Sequence, residues 1–127
     1  MDYLKTVGDY LPELSDARIH YEGSKIVVYT RNLNFFLTGE DKIREIVDRI
    51  KKRIEVRIEP DTLPSTEETI AKIKEIVPKD AEIEDIAFEP DFSKVIVSVR
   101  HPQIAVGESG EVVKAIKKET LWIPFVQ

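Results

Sequence analysis

The sequence predicts an α+β fold built from two copies of one unit, each with the order helix, strand, strand, short helix, helix, strand. Three observations predict it. Helix-type and strand-type hydrophobic periods alternate along the chain. Short motifs of the first half recur in the second half, and a pair of glycines three residues apart separates two helical segments of the second half. We expect a three-stranded sheet covered by helices in each copy.

The first copy begins with Leu4, Val7 and Leu11 at helical spacing behind Asp2, a suitable N-cap. Residues 32–39 are either irregular or a short helical turn. The other elements follow from alternating apolar residues or from an i, i+3, i+4, i+7 stripe, and they are strands at 17–22 and 25–31, a helix at 41–50 and a strand at 54–58.

The second copy opens with Ser65 and Glu68 at capping-box spacing, and its first helix is ended by Pro78. The apolar phase slips between Ile83 and Ile86, which predicts a β-bulge, and Pro124 predicts that the last strand lies at a sheet edge. The later elements are strands at 82–88 and 95–99, a short apolar segment at 103–106, a helix at 111–118 and a strand at 121–126.

The two halves also share residues. The motif at 16–19, Asp-Ala-Arg-Ile, corresponds to Asp-Ala-Glu-Ile at 80–83, and Ser-Lys-Ile-Val-Val at 24–28 corresponds to Ser-Lys-Val-Ile-Val at 93–97. Such self-similarity predicts a duplicated unit of about 60 residues. We place the two units at 1–60 and 61–127.

The composition limits the function. The chain has 127 residues, 42% hydrophobic and 34% charged, which is enough apolar material for a core. A net charge of −5 excludes a polycation that coats nucleic acid, so any such surface must be a local patch. The absence of cysteine excludes disulfides and thiolate metal sites, and no apolar run is long enough to span a membrane. We expect a cytoplasmic protein with no membrane partner, and the bias toward Ile, Glu and Lys is typical of thermophiles.

The feature that indicates chemistry is Gly107-Glu108-Ser109-Gly110. A Gly-x-x-Gly loop between two helices is how a KH domain clamps a nucleic-acid backbone, and the predicted element order is that of a type II KH unit. Glycines permit a sharp turn and close approach to a sugar-phosphate, and the following helix offers free N–H groups to a phosphate. Apolar neighbours can form a shelf for unstacked bases. The candidate contacts beside the loop are Arg100, Ile104, Val106 and Lys114, with Ile96 and Ser98 as further shelf residues.

Three further stretches of the chain, 52–61, 77–88 and 120–126, carry a resemblance to a known family. They resemble the N-terminal tandem KH-like region of archaeal β-CASP metallo-β-lactamase ribonucleases, relatives of the cleavage-and-polyadenylation specificity factor that act in transcription termination. In that family the first KH-like copy lacks the glycine loop, as here, where Phe36-Leu37-Thr38-Gly39 keeps one glycine.

The resemblance implies a module that binds single-stranded RNA for 3′-end processing or termination. Its partners would be the RNA and a β-CASP nuclease domain in cis or in trans, and a homodimer is left open. The zinc of the family belongs to its catalytic domain. This chain has two histidines and no His-x-His-x-Asp-His motif, so we expect no cofactor and no RNA cleavage by the chain itself.

One departure from the family pattern opens an alternative. The family loop usually carries a basic residue between its glycines, whereas this loop has Glu108 and Ser109. A carboxylate beside a phosphate weakens binding by roughly tenfold. The alternative function is therefore a KH-fold interaction or dimerisation module that has lost RNA binding.

A second candidate surface is a basic cluster in this acidic chain, formed by Arg49, Lys51, Lys52, Arg53 and Arg57. These cations can hold phosphates at a helix end and along the adjoining strand. Alternatively, Lys51, Lys52 and Arg53 complement the helix dipole and Arg57 is a solvated strand residue.

Overall fold

The chain forms two α+β units with the same order of elements, Met1–Glu59 and Pro60–Gln127, in a computed structural model that describes residues 1–127. The first unit consists of α1 (Tyr3–Tyr10), β1 (Arg18–Glu22), β2 (Lys25–Thr30), α2 (Leu33–Thr38), α3 (Glu40–Ile50) and β3 (Ile54–Ile58). The second unit consists of α4 (Thr66–Ile76), β4 (Ile83–Glu89), β5 (Lys94–Val99), α5 (Pro102–Val106), α6 (Glu111–Thr120) and β6 (Ile123–Val126).

Both sheets have the topology expected for a type II KH unit. In the first, β1 pairs antiparallel with β2, and β2 pairs parallel with β3; β4, β5 and β6 repeat this arrangement. A parallel pair needs a crossover connection, which the two helices before the last strand supply in each unit. The predicted α+β fold is confirmed.

Several local predictions from the sequence are also confirmed. The Asp2 carboxylate caps α1 by accepting from the Lys5 N–H at 3.1 Å, and the Ser65 hydroxyl caps α4 by accepting from the Glu68 N–H at 3.2 Å. The register of β4 shifts between Ile83 and Asp85, as a bulge does, and β6 lies at the edge of its sheet. The segment 32–39, for which the sequence allows either an irregular structure or a short helical turn, is mostly helical. It contains α2, and the Asn32 side chain caps the start of this helix.

Each unit has its own apolar core on the helix-covered side of its sheet. The core of the second unit includes Val95 and Val97 of β5, Ala105 of α5 and Ile116 of α6, all with no exposed surface. Because side chains alternate along β5, Ile96 and Ser98 lie on the opposite face of the sheet. The core of the first unit is built in the same way, from Val7, Leu11, Leu14, Ile26, Val28, Phe35, Ile46 and Ile50.

None of the helices is both long and apolar enough to cross a bilayer.

Candidate nucleic-acid interface

The glycine loop of the second unit is an exposed turn between α5 and α6. Gly107 is the C-cap of α5 with φ of 89°, and Gly110 is the N-cap of α6 with φ of 77°. Residues that have a Cβ rarely adopt these positive φ values. Glu108 and Ser109, between them, are exposed. The loop is therefore neither buried nor absorbed into a continuous helix, which are the two arrangements that would exclude a backbone contact.

The backbone N–H groups of the loop already donate hydrogen bonds to a carboxylate. The Glu108 N–H donates to Glu111 Oε1 at 3.2 Å, and the Ser109 N–H donates to Glu111 Oε2 at 2.9 Å. The Ser109 hydroxyl adds a third hydrogen bond, at 3.2 Å. These bonds, chiefly the one from the Ser109 N–H, lower the pKa of the Glu111 carboxyl. The loop amides are thus arranged to hold an oxyanion.

Glu111 was not among the residues predicted from the sequence. A glutamate at the first position of a helix normally indicates only a favourable interaction with the helix dipole. The signal that identifies its role is its place directly after the second glycine, from which its side chain can fold back over the loop.

The other predicted residues around the loop have different surroundings. Ile104 and Val106 are half-buried on α5, and Lys114 is exposed one turn into α6. Arg100 is exposed, with its guanidinium 3.8 Å from the Glu82 carboxylate. That same carboxylate lies 3.1 Å from His101 Nε2. Glu82 therefore partly offsets the charge that Arg100 presents at this surface.

Ile96 and Ser98 do not form a shelf beside the loop. They lie on the face of the β5 sheet that is opposite to the helix-covered core, whereas α5 belongs to the covered side. This expectation from the sequence is wrong, because the alternation along β5 gives the inward positions to Val95 and Val97.

The basic cluster of the first unit loses one of its predicted members. Arg57 is fully buried, and its guanidinium donates to Glu22 at 2.7 and 2.9 Å, to the Tyr29 hydroxyl at 3.0 Å and to Glu55 at 2.7 Å. Burial opposes the charged form, but the hydrogen bonds to Glu22 and Glu55 outweigh it and raise the pKa of Arg57. Arg57 is a structural cation, and including it in an exposed phosphate-binding cluster is wrong.

The remaining cations of the cluster lie near the end of α3, beside the tyrosines of α1. The Arg49 guanidinium lies 5.5 Å from the ring centroid of Tyr10, and the Lys52 ammonium lies 5.2 Å from that of Tyr3. Lys51 and Arg53 are exposed. This set of four cations and two tyrosines is here called the basic patch.

The first unit has no counterpart of the glycine loop. A single residue, Gly39, joins α2 to α3, and its N–H donates to the Phe35 carbonyl at 2.7 Å. A Cβ on Gly39 would lie 2.6 Å from that carbonyl oxygen. The junction is closed, so it presents no pair of free amides to a ligand.

No group of three or more His, Asp or Glu side chains is arranged to hold a metal ion.

The sheet topology, the paired helices and the glycine loop together define a KH-like fold in its type II arrangement. Residues 2–63 match the family model described as the KH domain of transcription termination factor FttA. The first unit is therefore similar in sequence to that KH domain.

Archaeal relatives named transcription termination factor FttA are similar over most of the chain. The Pyrococcus abyssi protein is 35% identical over 114 residues, which is 90% of this chain and 18% of the relative. The Pyrococcus horikoshii protein is 34% identical over 98% of this chain and 19% of the relative, and the Methanothermobacter thermautotrophicus protein is 36% identical over 96% and 19%. The chain thus spans about a fifth of the length of these relatives.

Proposed function

We propose that the chain is a tandem KH module that binds single-stranded RNA through the glycine loop of its second unit. The proposal combines the match of the first unit to a KH-domain model, the similarity of most of the chain to transcription termination factors and the chemistry of the loop. The module would hold RNA for a β-CASP ribonuclease, in cis or in trans, that acts in 3′-end processing or termination.

The observation that carries the proposal is the bound carboxylate. Two consecutive amides, of Glu108 and Ser109, converge on the oxygens of Glu111. A phosphate diester presents two oxygens of similar spacing and charge, so the same donors suit an RNA backbone. Ile104 and Val106 of α5 offer apolar surface for an unstacked base, and Lys114 supplies a cation.

The basic patch of the first unit supports a second RNA contact. Lys51 and Arg53 extend from the end of α3 as exposed cations, while Arg49 and Lys52 lie against tyrosine rings. In proteins that bind single-stranded nucleic acid, cations contact the phosphates and aromatic rings stack on the bases. In this proposal, each unit contributes its own contact, and the contact at the patch adds affinity that depends on salt.

Titration with a fluorescently labelled single-stranded oligouridylate, followed by anisotropy, tests the loop. Ser109→Asp keeps both glycines but places a second acidic side chain between them, and we expect affinity to fall about tenfold. Ser24→Asp, at an exposed serine of the turn between β1 and β2, is the matched control. It makes the same charge change in the other unit and should have much less effect.

Salt dependence provides the second criterion. A backbone contact gives log affinity that falls linearly with log salt concentration, and replacing Lys51 and Arg53 by Gln should make that slope shallower by about one unit. If the wild-type chain shows no binding at low salt, or if Ser109→Asp and Ser24→Asp bind equally, the loop is not an RNA contact. The protein-interaction alternative would then be preferred.

A further inference from the structure

We propose that Glu111 is an internal competitor of RNA: its carboxylate occupies the glycine loop, and a backbone phosphate must displace it to bind. The inference rests on the proposed RNA binding of that loop and adds the residue that sets its affinity. Glu111 then determines how strongly the loop holds RNA, without itself contacting the strand.

The competition follows from shared donors. The two loop amides that are placed to bind a phosphate, those of Glu108 and Ser109, already donate to the two carboxylate oxygens of Glu111. An N–H group has one proton to donate, so a strong bond to the carboxylate and a strong bond to a phosphate exclude each other. Repulsion between the two anions acts in the same direction.

The competition also follows from shared space. A Cβ on Gly107 would lie 2.5 Å from the carboxyl carbon of Glu111 and 2.6 and 2.7 Å from its two oxygens. The carboxylate therefore lies in the volume that the missing side chain of Gly107 leaves open. Because a glycine lets a ligand come close to the backbone, this is the volume that an RNA phosphate would enter.

Displacement of Glu111 requires no unfolding. Its side chain is exposed and projects from the first position of α6, so rotation about its own side-chain bonds releases the loop while the helix stays intact. The released carboxylate is solvated, and the amides are free for the phosphate. The exchange replaces one anion by another on a preformed site.

Glu108 provides the matched control. It lies in the same loop and has the same charge, and its side chain is exposed. However, only its backbone N–H takes part in the bonds to Glu111. Removing the charge of Glu108 reduces general repulsion of RNA. Removing the charge of Glu111 also weakens the hydrogen bonds that hold its side chain in the loop.

The test compares Glu111→Gln and Glu108→Gln with the wild-type chain in the oligouridylate titration. We expect Glu111→Gln to bind about tenfold more tightly than the wild type, and Glu108→Gln to gain no more than about threefold. Amide NMR of the unaltered protein adds a measurement that needs no variant. The Glu108 and Ser109 resonances should move on RNA addition, and the side-chain carboxyl carbon of Glu111 should move toward the position of a solvated carboxylate.

The outcomes separate this inference from the proposed function. If wild-type binding is weakened by Ser109→Asp but Glu111→Gln binds no more tightly than Glu108→Gln, the competitor role is overturned and RNA binding stands. Weaker binding by Glu111→Gln would show that the carboxylate supports the RNA-binding shape of the loop, and would also overturn it. If no variant binds RNA at low salt, the proposed function fails and this inference fails with it.

Discussion

The two units share one topology but use their charged residues in opposite ways. In the first unit, Arg57 of β3 is buried beside Tyr29 of β2 and bonded to two glutamates. At the corresponding place in the second unit, Gln127 donates to Ser98 of β5 at 3.2 Å, and both partners are neutral. The junctions between the paired helices also differ. The junction in the first unit is closed at Gly39, whereas the junction in the second unit is the open loop at 107–110. In the first unit, the buried cation Arg57 thus stabilises the sheet. In the second unit, the Glu111 carboxylate instead occupies the candidate binding site.

Removal of the buried cation should give the largest effect. Arg57→Ala leaves Glu22 and Glu55 without their main partner, and losing one member of a buried ion pair costs about 3–5 kcal/mol of stability. Chemical denaturation of the 127-residue chain measures the change. Gln127→Ala removes the neutral counterpart in the second unit, so a loss as large as that of Arg57→Ala would contradict the distinction between the two sheets.

The closed junction of the first unit should also resist change. Gly39 has φ of −84°, which any residue adopts, but a Cβ there would lie 2.6 Å from a backbone oxygen. We expect Gly39→Ala to destabilise the protein by about 1–3 kcal/mol through overpacking. Gly8→Ala, within α1, is the matched control, because the new Cβ would lie 3.6 Å from the side chain of Ile19 in β1, an ordinary van der Waals distance.

Since alanine favours a helix over glycine, Gly8→Ala should stabilise the protein by about 0.5–1 kcal/mol. Thermal unfolding distinguishes the two substitutions. Equal midpoints for both variants would show that the α2–α3 junction has room for a side chain and is not closed.

The loop of the second unit should respond to acid in a characteristic way. The pKa of Glu111 is lowered by its bonds in the folded state, so the stability that they contribute is present above the ordinary glutamate value and is lost as the pH falls through the lower folded value. An NMR titration should therefore show the Glu108 and Ser109 amide resonances moving together, with a midpoint below the pKa of an ordinary glutamate. In Glu111→Gln this transition should vanish; its persistence would assign the titration to another group.

Much of the fold could be predicted because it is encoded locally. Asp2 and Ser65 cap their helices through residues three positions away, and Pro124 lies at a sheet edge because it lacks an N–H. The repeat of Ser-Lys-Ile-Val-Val as Ser-Lys-Val-Ile-Val predicted a duplicated unit, and the repeated residues lie in β2 and β5, the central strands of the two sheets.

The charged residues were harder to place because their partners are distant in sequence. Arg57 alternates with apolar residues as a solvated strand residue does, and only the register of β1, β2 and β3 brings Glu22 and Tyr29 to its guanidinium. Glu111 belongs to an ordinary helix start, and its contact depends on the backbone angles of Gly107 and Gly110. Neither contact has a periodic signature in the sequence.

The most direct test of the account is amide NMR of the intact chain during titration with single-stranded oligouridylate. We expect the amide resonances of Glu108 and Ser109, with those of Gly107 and Gly110, to shift most strongly, while the amide resonance of Gly39 at the closed junction does not shift. Shifts that bypass the loop, or that are as large at Gly39 as at Ser109, would contradict it.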